Sequence, residues 1–438
     1  MAAVVERPAR ERPALKTWSY WIDTAPEGVD YTQSTLPETI DVAVIGGGLT
    51  GMSAAIHVRK KGASVALLEA EKLGWGASAR NGGMSTPGIT ISYLKAIDRY
   101  GEDDANRMYL AYDAAINTIE RLVTTEGIDC DWARFGKLNL ACRPSHFETY
   151  QRTARALATN LGHETIIIPK DRIRTEIGSD YYVGGFIDPR GAGLHVGRFC
   201  RGMATVAARA GAGLHEGAEV TGLRRVDGGH EVRTTRGSLV ARQVLVATDG
   251  YTGGSIPFYR RRIVPVGSFI IATEPLDQAL VDELMPTRRM ASDSKNLLFY
   301  FRITPDNRML FGGRAQFALS SPKADLESAR ILQRGMISVF PQLANARLDY
   351  AWGGLVGITL DRMPHAGEHD GVFYSMGYNG HGVQMATHMG MIMAEVMDGH
   401  PEANPWGDLR FRAVPGHFGP PWFLPLADAY YKLRDAVG

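Results

Sequence analysis

The sequence predicts an α/β chain in which a Rossmann-like βαβ domain is joined to a second, α+β domain built mainly on an antiparallel sheet. Three observations carry that prediction. The stretch "DVAVIGGGLTGMSAAIHVRKKGASVALLEA" reads as strand, glycine turn, helix and strand. A further buried strand, Gln243 to Ala247, ends in Thr248-Asp249-Gly250, and a late glycine-rich turn at 377–382 opens another helix. Two long inserts between these segments are rich in short strands, turns and helices. The nucleotide-type domain is therefore stitched from 38–95, 191–258 and 351–400, and the inserts 96–190 and 259–350 form the second domain. Residues 1–37 remain as an N-terminal arm and 401–438 as a tail.

Taken in order, residues 1–16 carry charges and prolines where a secretory signal needs a continuous apolar run, and read as a flexible arm ordered from Trp18 onward. No stretch of about 18 apolar residues occurs, so no membrane span is expected. Asp41 to Ile45 is a short buried β run, Leu49 to Lys61 has helical spacing that stops at Gly62, and Ser64 to Leu68 is a second buried strand. Residues 96–130 look helical, and 134–190 mix strands with another helix; both are placed outside the nucleotide fold. Val196 to Ala210 reads as a helix leading into alternating strands and turns. Strands return from Arg262 to Gly313, with a turn at Pro305-Asp306-Asn307. Helical spacing resumes over 324–340 and again after the 377–382 turn, where Met385, Met389 and Met393 are expected in the core. A short helix in "LADAYYKLRDAV" closes the chain, and the apolar run "GPPWFLPLADAYY" is expected to dock on the protein's own core, with a membrane or partner contact as the alternative.

Composition narrows the chemistry. A formal net charge of +1 over 438 residues supplies no field to hold a nucleic acid. Cys130, Cys142 and Cys200 lie far apart with no CxxC pair, which points to a reducing cytoplasm rather than a disulfide framework or thiolate metal site. His365 and His369, near Asp361 and Glu368, sit in "RMPHAGEHDG", read as a turn with no helix to align them, so no metal is expected. Without a GxSxG elbow, hydrolysis has no anchor.

The dinucleotide signal is strong in its context. Gly46-Gly47-Gly48-Leu49-Thr50-Gly51 follows a strand and opens a helix, and Glu69 closes the next strand 18 residues after Gly51, where an acid takes ribose hydroxyls. Glycines at such a turn let backbone amides approach a pyrophosphate, and the helix dipole favours its charge. An acid with no basic neighbour disfavours NADP. Next come Ser78, Arg80 and Asn81, donors for a phosphate or ring carbonyl, and Gly82-Gly83, where backbone can lie flat against a large planar group. The later turn, Gly377-Tyr378-Asn379-Gly380-His381-Gly382, would aim helix amides at negative charge on such a ring.

With these residues in view, the chain resembles the FAD-dependent amine and amino acid oxidases of the D-amino acid oxidase (DAO) superfamily, and within it the gamma-glutamylputrescine oxidase-type enzymes. The likeness runs from Asp41 to the C-terminus through "GWGASARNGG", "FRITPDNRMLFGG", "FPQLANARLDYAWGGLVGITLDRMPHAG", "MGYNGHGV" and "AYYKLRD". It implies a glutathione-reductase-like fold and FAD contacts at Gly46, Gly48, Leu49, Thr50, Gly51, Glu69 and Ala70, then from Gly76, Ala77 and Ser78 through Arg80 and Asn81. Gly82, Gly83 and Met84 would lie closest to the flavin ring. Val220 would meet the adenine end, Thr248 and Gly250 the diphosphate, and Gly354, Gly380, His381, Gly382 and Val383 the flavin. Monomeric sarcosine oxidases attach flavin to a cysteine in the segment matching "WGGLVGIT"; its absence here implies noncovalent FAD.

The same resemblance implies oxidation of a small amine by hydride transfer, imine hydrolysis, and electrons passed to dioxygen with release of peroxide. The lysine that sarcosine oxidases hold above the flavin is replaced in the strand Met309-Leu310-Phe311-Gly312. A flavin dehydrogenase serving a quinone or protein carrier therefore stays open beside the oxidase, as does a nucleotide-binding subunit without turnover. Tyr300 and Arg302 alternate to one face of a strand and are expected to bind substrate, the arginine through a carboxylate or, alternatively, serving a cross-strand ion pair. Trp352 is expected beside them, and His381 and His365 are candidates for base or positioning work.

Overall fold

A computed structural model describes residues 14–313 and 321–437. Thr39–Ile45 is flanked in parallel by Val65–Leu68 and Gly237–Val246. The sheet extends through Gly213–His215 on one side and Val372–Met376 on the other, with His365–His369 antiparallel at that edge. A hairpin of Val220–Val226 and Gly229–Thr234 completes eight described strands. Central strands of this kind are covered on both faces, which is why they read as unbroken apolar runs.

The helix Leu49–Lys60 is buried along almost its whole length, between Val196–Arg209 and Gly382–Met397. Its approach to the turn requires Gly51, where a Cβ would meet the Gly46 carbonyl oxygen at 1.9 Å. Met385, Met389 and Met393 are fully buried in this layer, as expected. The helix Glu102–Glu126, read from sequence as outside the nucleotide fold, lies against Gly382–Met397 and so covers that layer.

The second sheet also has eight described strands, in the order 348–358, 264–273, 309–313, 299–303, 290–293, 137–141, 184–188 and 166–169. Every pairing is antiparallel except Met290–Asp293 with Lys137–Ala141. One face buries Phe269, Ile271, Phe301 and Phe311 with Leu332 and Met336 of the helix Pro322–Val339. The opposite face meets the glycine-rich loop of the first domain. Two sequence readings change here. Leu348–Ile358 pairs with Val264–Thr273, so the boundary drawn at 351 falls inside a strand of the second sheet. The segment "RMPHAGEHDG" is half strand: His365–His369 pairs antiparallel with Val372–Met376, and the turn residues are confined to Asp370-Gly371, both at positive φ, where the hairpin reverses.

Residues 1–13 of the predicted arm lie outside the described residues. Lys16 already exchanges backbone hydrogen bonds with Asp349 and Ala351, so the ordered arm begins before Trp18. Ser19 Oγ then donates to the Ala79 carbonyl at 2.6 Å, and the buried Trp21 donates through Nε1 to the Asn81 carbonyl at 2.7 Å. At the other end Leu424 joins Val264 and Val266, and Asp435 accepts from the Asn296 and Leu297 amides. Trp422, Leu426, Tyr430 and Leu433 stay exposed, so the tail docks only in part. No helix among the described residues is long and apolar enough to cross a membrane. Trp21→Ala is expected to cost about 3–5 kcal/mol of stability, the usual loss for a fully buried indole, read as a lower urea midpoint.

Candidate active site

A cavity of about 510 Å³ runs from the end of the second strand to the N-terminus of Gly382–Met397. Glu69, Ala70 and Val220 lie at one end, Gly46, Gly48, Leu49, Thr50 and Thr248 along the middle. The Glu69 carboxylate accepts from the Gly47 amide at 2.6 Å and the Glu71 amide at 2.9 Å. Burial raises its pKa, and those two amides oppose the rise. Ser78 Oγ accepts from the Leu49 amide at 3.0 Å, which ties the second loop to the first turn of the helix. Gly51 is set back from the cavity in helix packing, and Gly250 abuts Gly357 rather than the cavity.

The stretch Gly76–Met84 forms the floor, except that Ala79 and Gly83 lie behind it. Asn81 folds its amide onto its own loop, donating to the Ala77 and Ser78 carbonyls at 3.0 and 2.9 Å while its Oδ1 accepts from the Gly83 amide at 2.8 Å. Its side chain therefore fixes the loop instead of reaching out as a free donor. Arg80 Nε donates to the Trp75 carbonyl at 2.8 Å and its guanidinium covers the Trp75 ring at 4.6 Å. Gly83 has φ +67°, and a Cβ there would meet the Leu194 carbonyl oxygen at 2.5 Å.

Tyr300 stands over this floor. A Cβ on Gly82 would touch its ring at 3.1 Å, and its hydroxyl lies 3.2 Å from Ser268 Oγ. Ser292, Leu298 and Lys137 complete the wall formed by the antiparallel sheet. At the far end Gly380, His381, Gly382 and Val383 line the cavity, with Gly354 opposite. His381 precedes the first helical residue, and its ring meets the edge of Tyr112 at 5.6 Å between centroids.

Three sequence-predicted residues sit elsewhere. Arg302 shares a face with Tyr300 but lies one pleat further along; it is buried, and its guanidinium donates to the carbonyls of Gly83 and Leu194. Burial pushes it down to about 10, with no carboxylate in contact among the described residues. Neither a substrate clamp nor a cross-strand ion pair describes it. Trp352 is buried behind the loop and donates through Nε1 to the Arg80 carbonyl at 3.0 Å. His365 is buried away from the cavity, bonded to Asp361 at 3.0 Å and stacked on Phe411, while His369 stacks on Phe258.

Sequence reasoning missed Asp249 and Lys137. Asp249, with φ +42°, accepts from the Gly377 amide at 2.7 Å and joins the late glycine turn to the cavity wall. Burial raises its pKa against several backbone amides. Lys137 is pushed down to about 8 by burial, with Asp188 opposing. The donor set suits an anionic dinucleotide: an acid for ribose, two helix N-termini, and a turn too tight for side chains. Replacing Arg302 with leucine is expected to weaken dinucleotide binding about tenfold or more, because charge-assisted hydrogen bonds of about 1.5–3 kcal/mol hold Gly83. Equilibrium dialysis checks this; a substrate clamp would raise the substrate KM and leave cofactor affinity intact.

The family described as FAD dependent oxidoreductase (DAO) matches residues 41–396. A gamma-glutamylputrescine oxidoreductase of Escherichia coli is 32% identical over 431 residues, covering 96% of this chain and 99% of that protein. A probable oxidoreductase, OrdL, of Haemophilus influenzae is 33% identical over 427 residues, covering 95% and 97%. The crystal structure of glycine oxidase from Geobacillus kaustophilus superposes with a TM-score of 0.69 at 21% identity, covering 83% of this chain and 95% of that one. Agreement over nearly the whole length, joined to a cavity built for a dinucleotide, makes the chain an FAD-dependent oxidoreductase of the DAO family.

Proposed function

We propose that the chain oxidises the C–N bond of a small primary or secondary amine, of the gamma-glutamylputrescine kind, with noncovalent FAD and dioxygen as the electron acceptor. One observation supports this most: the cavity that begins at Glu69 continues unbroken to a chamber floored by Gly82 and Met84 and walled by Tyr300, Ser268 and Leu298. A relative 32% identical over 431 residues is named for gamma-glutamylputrescine. None of the three cysteines lies on the cavity wall, which fits noncovalent FAD, and all three are free, which fits a cytoplasmic setting.

When bound, FAD supplies the acceptor for a hydride from the amine-bearing carbon. Glu69 would hold the ribose, the amides of 46–50 the diphosphate, and the loop from Ser78 to Met84 the flavin ring. The amides at the start of Gly382–Met397 would present the positive end of a helix dipole to negative charge on the bound flavin. An alkylamine arrives mainly as ammonium, with a pKa of about 10.4 and no lone pair to expel a hydride. The apolar wall of Leu298, Met84 and the Tyr300 ring disfavours that charged form, so the neutral amine would react without a dedicated base. Loss of hydride from carbon and a proton from nitrogen leaves an imine. Water hydrolyses the imine to a carbonyl compound and a free amine or ammonia, and dioxygen departs as hydrogen peroxide with the two electrons and two protons.

The test is anaerobic mixing of the purified yellow protein with primary amines, N-methyl amines and amino acids. Bleaching of the flavin band by at least one amine is expected, faster as pH rises toward the amine's pKa, with peroxide equal to substrate consumed once air is admitted. Bleaching without peroxide would move the reading to a dehydrogenase serving a quinone or carrier. A flavin that no member of the panel bleaches would overturn it.

A further inference from the structure

Lys137 opens the strand Lys137–Ala141. Alternation sends Leu138 and Leu140 into the core under the second sheet and turns Lys137 the other way, onto the cavity wall with Tyr300 and Ser292. Among the described residues nothing hydrogen-bonds or pairs with its ammonium. Asp188 faces Lys137 across the ladder, but its carboxylate is taken by Tyr109, His163 and Arg190. On the adjacent strand Asp293 is paired with Lys295. The other carboxylates on the cavity wall are Glu69, Glu71 and Glu219 at the adenine end and Asp249, which is tied to the Gly377 amide.

Lys137 is half-buried, and an ammonium that opens onto the cavity without a protein partner is prepared for an anion from outside. Ser292, diagonal to Lys137 on the adjacent strand, offers a hydroxyl to the same ligand. We propose that Lys137, with Ser292, forms an anion subsite in the substrate chamber that selects amines bearing a carboxylate over plain alkylamines and diamines. The inference rests on the amine-oxidising reading and deepens it by naming the charge that the substrate carries. A second positive end, as on a diamine, is repelled by the same lysine. Because burial places Lys137 at about 8, the subsite is charged below that pH and loses its charge above it.

The experiment uses flavin-loaded protein with Lys137 unchanged, Lys137→Met and Lys137→Arg, titrated with butyrate and with butyramide by calorimetry. Butyrate affinity is expected to fall about 10- to 100-fold in Lys137→Met, the equivalent of one charge-assisted hydrogen bond, and to recover in Lys137→Arg. Butyramide should bind all three alike. With the unchanged protein, butyrate affinity holds from about pH 6 to 8, then drops about tenfold per pH unit as the lysine loses its proton. The ratio of kcat/KM for 4-aminobutyrate to that for butylamine should fall at least about tenfold in Lys137→Met. Undiminished butyrate binding by Lys137→Met, or no recovery with arginine, would overturn the subsite. If no amine reduces the flavin, the amine reading falls, and the calorimetry still decides the subsite because it needs no turnover.

Discussion

Four carbonyl oxygens of the loop after the second strand are each claimed by a side chain from elsewhere in the chain. Ser19 takes Ala79, Trp352 takes Arg80, Trp21 takes Asn81 and Arg302 takes Gly83. The loop needs these holds because at Gly82-Gly83 it has no side chains of its own to pack. A surface on which a planar ring can rest must be thin, and a thin stretch of Gly82 and Gly83 has high conformational entropy unless something outside restrains it. The four donors come from the arm and the antiparallel sheet, so both are engaged at the floor of the cavity. Two of them, Arg302 and Trp352, have residue types and strand positions that suggest substrate contact, and their work is to fix backbone instead.

Three of the four carboxylates on the cavity wall, Glu69, Glu71 and Glu219, stand at its adenine end. An acid marks the ribose end, backbone dipoles from two helices face the middle and the far end, and one lysine stands in the substrate chamber. In a chain whose formal net charge is only +1, these local fields do the sorting of ligands. Their strength comes from burial, because each charge acts through a medium less polarisable than water. The same burial that raises Glu69 and lowers Lys137 sharpens their preference for partners of opposite character.

The βαβ unit was legible because its determinants are local: two apolar strands, a glycine turn and Glu69 all fall within residues 41–69. The antiparallel second sheet was legible from its turns and alternation. The holds on the loop were not, since their partners lie 60, 219 and 272 residues away and no local pattern reports such contacts. Lys137 did leave a signal, for in Lys137-Leu138-Asn139-Leu140 the apolar positions already fix which face the lysine must take. The boundary at 351 failed for a related reason: Leu348–Ile358 looks like a start of the late nucleotide segment, and only its pairing with Val264–Thr273 assigns it to the second sheet.

The proposed arrangement has FAD extended from Glu69 through the glycine turn, its ring on the backbone of residues 82–84, held without a covalent bond. Its most direct test is to denature the purified protein and record the absorbance of the supernatant and the precipitate. One FAD per chain is expected in the supernatant, with a colourless precipitate. A protein that releases no flavin and takes none up again on refolding with FAD, or one whose precipitate stays yellow, would contradict it.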